Sequence, residues 1–187
     1  MSFLSAATLK ELITQESLIA PFDKDRIAFI EGSKYDLTVA KVFRQRMLGK
    51  VPVIGRNHRN LPAADELDVM SPTVTGPGWY RLWPWFPYLV QSREIISVPR
   101  EYLGIVFCRT SIFRGAARLI GTVIDPGYSG VITAGIDVRH WRGLWLEQEA
   151  RFAAVIFAEF DSILTDPYRG VWGAKRLTTD GKDERGF

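Results

Sequence analysis

The stretch "GTVIDPGYSGVI", residues 121–132, decides how this chain folds. It reads as a strand ending at Ile124 and Asp125, a tight turn, and a second strand restarting at Gly130. Pro126 presets φ and Gly127 supplies the left-handed position, the pair that a type II turn requires. Such a turn lifts Asp125 and Tyr128 to its mouth. Taken alone, an ordinary hairpin with a turn-capping Asp and a half-buried Tyr accounts for the same residues.

Working outward, the flanking sequence repeats the pattern of short apolar runs broken by Gly, Pro, Asn and Asp. The runs are 35–43, 50–55, 88–91, 94–98, 103–107, 130–138 and 152–160. Several short strands at this spacing predict a barrel or jelly roll rather than a parallel α/β sheet. Only the N-terminal segment differs. In "SAATLKELITQESLI", residues 5–19, Leu9, Leu12 and Ile13 recur at helical spacing after a Ser or Thr start, and Pro21 is expected to stop the helix. Residues 44–78 include a polar stretch with scattered Pro and Gly, expected to be a long exposed excursion. Residues 1–174 are expected to form one domain and 175–187 a mobile, charged tail.

Composition narrows the function classes. With 187 residues, 47% hydrophobic and 24% charged, the chain can bury a sizeable core. No apolar run approaches the roughly 18–20 residues of a membrane span, and no basic region followed by an apolar block suggests a signal peptide. The single cysteine, Cys108, excludes an internal disulfide and a cysteine-based zinc cage, and two histidines make a histidine-rich metal site unexpected. A cytoplasmic protein fits best. The formal charge of +3 is small and the positive residues are scattered, so neither a nucleic acid nor a membrane is an expected partner. Converging arginines can still hold a polyphosphate.

Upstream of the turn lies "CRTSIFR", residues 108–114. Arg109, Ser111 and Arg114 offer cationic and hydroxyl donors near the start of a short helix, where phosphate oxygens are well received. A solvated turn is the plain alternative. The aromatic cluster "GWYRLWPWFPY", residues 78–88, reads as barrel core or a trimer interface in preference to a base-stacking or carbohydrate platform.

Together "YDL" after "EGS" (31–37), "RTSIFR" (109–114) and "GTVIDPGYSGVI" (121–132) resemble the first three motifs of the trimeric dUTPase and dCTP deaminase superfamily. The opening helix, residues 18–43, 82–111 and 154–175 resemble the deaminase branch. The likeness implies a mostly β protein, a distorted β-barrel or jelly roll of the dUTPase type with a short N-terminal helix, assembled as a homotrimer with sites at subunit boundaries. It implies that Arg109, Ser111 and Arg114 hold the triphosphate, and that Tyr128 stacks on the deoxyribose. It further implies that Asp125 orients and activates water, and that Tyr168 helps close over the nucleotide. Asp36 matches the first-motif aspartate, with a structural and metal-linked part. Mg²⁺ is expected to ride mainly on the triphosphate, with no dedicated protein ligands.

One departure weighs against the deaminase reaction. The general acid/base glutamate of that branch falls here on Gly135, which cannot transfer a proton. Asp137 lies two residues on, on the same strand face about 7 Å away, and only a bulge at Gly135 would bring it nearer. In the tail, Trp172 and Lys175 stand where that branch has a second Tyr and a Gln, and "DERGF" matches only the start of a dUTPase tail. Three functions follow from the resemblance. They are hydrolysis of dUTP or a close analogue to dUMP and pyrophosphate, deamination of dCTP with or without that hydrolysis, and non-catalytic nucleotide binding.

Overall fold

The computed structural model describes residues 2–22, 24–48, 51–56, 58–71, 78–161 and 183–185. Helix α1, Ala6–Glu16, opens on Ser5, whose Oγ accepts the Thr8 N–H at 3.2 Å. It closes at Ser17 in the left-handed conformation, φ 55°, before the chain reaches Pro21. The expected stop is therefore early, because a short polar residue can take that conformation and end the helix itself. Leu9, Leu12 and Ile13 bury the inner face of α1 against the sheet core.

The strands that build the core are β1 (Lys34–Gln45), β2 (Trp79–Leu82), β3 (Pro87–Ser97), β4 (Tyr102–Cys108), β5 (Ala117–Ile120), β6 (Val123–Ile124), β7 (Ser129–Val138), β8 (Leu144–Glu147) and β9 (Arg151–Glu159). A short helix, α2 (Thr110–Arg114), lies between β4 and β5. The main sheet is antiparallel, in the order β5-β7-β3-β1-β9-β4-β6. Its two end strands are joined only by Gly121 and Thr122, so the sheet must curl until its ends nearly meet. Gly121 permits that corner, since a Cβ there would stand 2.0 Å from the Val106 carbonyl oxygen. A curled, mostly β barrel with one N-terminal helix is the architecture expected.

Alternation along β7 sorts its residues by face. Gly130, Ile132, Ala134, Ile136 and Val138 are buried, while Val131, Gly135 and Asp137 are half-buried and Ser129 and Thr133 exposed. The runs 88–91 and 94–98 prove to be one strand, β3, irregular at Ser92–Glu94. There Ser92 Oγ accepts the Ile132 N–H at 2.8 Å and donates to the Glu94 carbonyl at 2.7 Å. The carboxylate of Glu94 is fully buried, and Arg26 at 2.5 Å with the Thr38 N–H and hydroxyl at 2.9 and 2.7 Å satisfies it.

The excursion at 44–78 is partly built. Ala64–Glu66 returns to pair with β1, and Val53–Ile54 pairs with His58–Asn60, which Asp183–Arg185 joins on the other side. The rest of the expected mobile tail, including Lys175, lies outside the described residues, and so do Tyr168 and Trp172. No helix among the described residues is long and apolar enough to cross a membrane.

Candidate active site

The turn at 125–128 is type II, with Gly127 at φ 80° and the Tyr128 N–H bonded to the Asp125 carbonyl at 3.1 Å. It is pinned to Val98, the residue that follows β3. Gly127 N–H donates to Val98 O and Val98 N–H to Tyr128 O, both at 2.8 Å. The Tyr128 hydroxyl donates to the Val131 carbonyl at 2.7 Å, which fixes the half-buried ring beside the hairpin. Asp125 is exposed at the tip, on a backbone that cannot drift.

Gly135 lies in regular register, facing Leu89 on one side and Ile120 on the other. The irregularity in the pairing of β7 with β3 falls between Val131 and Thr133 instead. Asp137 therefore stays one rung further, opposite Pro87 and Arg118, with Arg139 at 3.9 Å. A Cβ at Gly135 would meet Ile120 at 3.4 Å, so a side chain fits and its absence is not forced by packing.

A second cluster forms around Asp36, on β1. Its Oδ2 accepts from Arg109 Nη1 and lies 3.4 Å from Arg151 Nη1, while its buried Oδ1 has no hydrogen-bond partner among the described residues. Arg109 caps α2 by position, its side chain 19% exposed against 1% for Asp36. Arg151 heads β9 and lies over the Phe29 ring at 5.5 Å. Burial pushes the Asp36 carboxyl above the ordinary aspartate range, against the pull of Arg109, Lys34 and Arg151. Two guanidiniums on one carboxylate leave a net positive centre. Ser111 and Arg114, exposed on α2, follow Arg109 in the chain, and Arg114 pairs with no carboxylate among the described residues. Arg151 is the member that the sequence motifs do not reveal, because only the register of β9 against β1 brings it to Asp36.

The sequence-derived candidates thus fall into two groups. Asp125 follows Ile124, which pairs with Gly104 near the start of β4, whereas Arg109 follows the last residue of β4, Cys108. That length of strand spans about 16 Å. Asp125 and Tyr128 therefore stand near one end of β4, and Arg109, Ser111 and Arg114 beyond the other.

The donor set also bears on a metal. Among the described residues no group of three or more His, Cys, Asp or Glu side chains converges to hold an ion. Asp36, to which the resemblance gives a structural and metal-linked part, has its Oδ2 turned to two arginines.

A curled antiparallel barrel with a cationic cluster and a pinned Asp–Pro–Gly–Tyr turn defines a class of nucleotide-metabolising folds, and comparison with known proteins agrees. The family model described as dCTP deaminase-like matches residues 3–160, and the chain belongs to that family. A relative from Halobacterium salinarum is 31% identical over 155 residues, 80% of this chain and 86% of its own. One from Aeropyrum pernix is 29% identical over 149 residues, covering 79% and 87%. Both carry the name "Probable deoxyuridine 5'-triphosphate nucleotidohydrolase". Among solved structures, the 2'-deoxycytidine 5'-triphosphate deaminase from Agrobacterium tumefaciens superposes with a TM-score of 0.61 at 15% identity. It covers 87% of this chain, which spans about half (49%) of that longer one, and it speaks for the fold.

Proposed function

We propose that the protein hydrolyses dUTP, or a close analogue, to dUMP and pyrophosphate, in sites shared between the subunits of a homotrimer. The observation that carries the choice of reaction is Gly135. Asp125 is retained on a pinned turn, where a carboxylate can take a proton from attacking water, whereas nothing at Gly135 can move a proton at a cytosine ring. The names borne by the relatives of about 30% identity point the same way.

In this reading Arg109, Ser111 and Arg114 receive the triphosphate, and their positive charge meets the negative charge that grows on the leaving pyrophosphate. Tyr128, fixed by its bond to Val131, lies under the deoxyribose. Asp125 accepts the proton of the water that opens the bond between the first and second phosphates. Mg²⁺, carried by the phosphates, adds charge neutralisation there, and Tyr168 belongs to the segment that closes over the nucleotide. Half-sites at opposite ends of β4 cannot meet on one nucleotide within one chain. A second copy supplies the missing half, which supports the trimer.

The test is to incubate the protein with Mg²⁺ and each of dUTP, dCTP, UTP and CTP, and to separate the products. Pyrophosphate from dUTP without ammonia from dCTP supports the proposal. Ammonia from dCTP refutes the role given to Gly135, and tight binding without either product leaves a non-catalytic nucleotide binder.

A further inference from the structure

The aromatic segment expected in the barrel core or at a trimer interface divides in two. Tyr80, Leu82 and Tyr88 are buried, while Trp83, Trp85 and Phe86 stand out from the surface. Residues 83–86 link β2 to β3, and residues 139–143 link β7 to β8. Since β2 pairs with β8 through Leu82 and Leu144, and β3 with β7 through Pro87 and Asp137, the two loops lie side by side. Arg81 donates to the Arg142 carbonyl across the gap, and a Cβ at Gly143 would stand 2.3 Å from the Leu82 carbonyl oxygen. At the tips, Trp85 is 79% and Trp141 78% exposed. Trp85 sits at φ 71°, a left-handed conformation that bulky residues rarely adopt.

Guanidinium groups cover these rings. Arg81 stacks on Trp83 at 4.5 Å and on Trp145 at 4.8 Å. Arg142 lies 5.7 Å from the Trp141 ring, and Arg44 5.5 Å from Phe86. Arg81 and Arg142 form no salt bridge with a carboxylate among the described residues, while Arg44 lies across from Asp65, whose pKa is lowered by Arg46 and, to a lesser degree, by Arg44. Cations that look scattered along the chain are gathered here by the fold. Large exposed rings interleaved with guanidinium cations suit a surface that meets something planar and anionic.

We propose that the loops at 83–86 and 139–143 form a docking surface for single-stranded nucleic acid. The indole faces stack on unpaired bases and the arginines take the intervening phosphates. A bilayer suits the surface less well. Residues 83–86 are Trp-Pro-Trp-Phe and 139–143 are Arg-His-Trp-Arg-Gly, with no Leu, Ile, Val or Met to extend into a hydrocarbon layer.

The experiment titrates the full-length protein into a fluorescein-labelled oligothymidylate of about fifteen nucleotides, followed by anisotropy over a range of salt. Wild type is expected to bind. The double variant Trp85→Ala/Trp141→Ala should lose roughly tenfold or more in affinity with an unchanged melting temperature and unchanged nucleotide hydrolysis. Arg142→Ala should flatten the slope of log affinity against log salt by about 0.7. A saturating non-hydrolysable dUTP analogue should leave oligonucleotide binding as it was, and so should Arg109→Ala. Absence of binding overturns the proposal. So does full competition by the nucleotide analogue, which would place the oligonucleotide in the nucleotide site. Tryptophan-dependent binding to anionic vesicles in place of the oligonucleotide would assign the surface to a membrane. A smaller assembly in light scattering of the double variant would assign it to a second copy of the chain.

Discussion

Replacing Arg109 with alanine separates two roles that one guanidinium can have. It is the partner of a buried carboxylate, and it is proposed to hold a phosphate. At 19% exposure the side chain is well shielded from water, so loss of a charge-assisted phosphate contact should cost about 2–4 kcal/mol, roughly 30- to 1000-fold in Kd. Folding is affected too. Asp36 would keep only Arg151, at 3.4 Å and itself 44% exposed, and an under-satisfied buried carboxylate costs about 1–3 kcal/mol. For a chain of this size each kcal/mol lowers Tm by about 2–4 °C. The assay is calorimetric titration of a non-hydrolysable dUTP analogue at 25 °C (about room temperature), beside thermal melts of the same samples. Both quantities should move. A fall in Tm with an unchanged Kd would refute the binding role and leave Arg109 as Asp36's structural partner alone.

Arg151→Ala should weaken the same analogue by about tenfold or less, because an exposed guanidinium is screened, and no change in Kd would remove it from the site. Gly121→Ala drives a Cβ into the Val106 carbonyl and should lower stability by about 1–3 kcal/mol in urea titrations; an unaltered midpoint would disprove the close approach. Because Asp36 has a raised folded-state value, its protonated form stabilises the fold at acid pH. That contribution is fully present below the unfolded value and is lost as pH rises through the folded one. Asp36→Asn should therefore gain on wild type from about pH 4 upward, and a stability difference that stays flat with pH would contradict the burial effect.

Much of this was readable in the chain because the deciding features are local. Pro126 and Gly127 dictate their turn whatever surrounds them, and the period-2 pattern of 130–138 assigns its faces in advance. What escaped the sequence is set by pairing at a distance. Arg151 meets Asp36 from a sequence separation of 115, and nothing in "EARF" announces it. Glu94 looks like a surface residue of a strand until the irregularity in β3 turns it inward to Arg26 and Thr38. The early end of α1 turned on Ser17 accepting a conformation that sequence rules assign first to Gly or Asn. The aromatic segment divided because Tyr80 and Leu82 fall on one face of β2 while the tryptophans after them lie in a loop.

The proposed sharing of a site between subunits is tested most directly by mixing two impaired proteins. Asp125→Asn lacks the water-activating half and Arg109→Ala the phosphate half, so at dUTP concentrations well below the weakened Kd each variant alone should release almost no pyrophosphate. Subunits exchanged at equal amounts should form hybrid trimers in which about a quarter of the sites combine both intact halves, and activity should return to that level. The double variant mixed with either single one should stay silent. If the two single variants remain inactive after proven subunit exchange, or if either alone keeps full activity, the composite site does not exist as described.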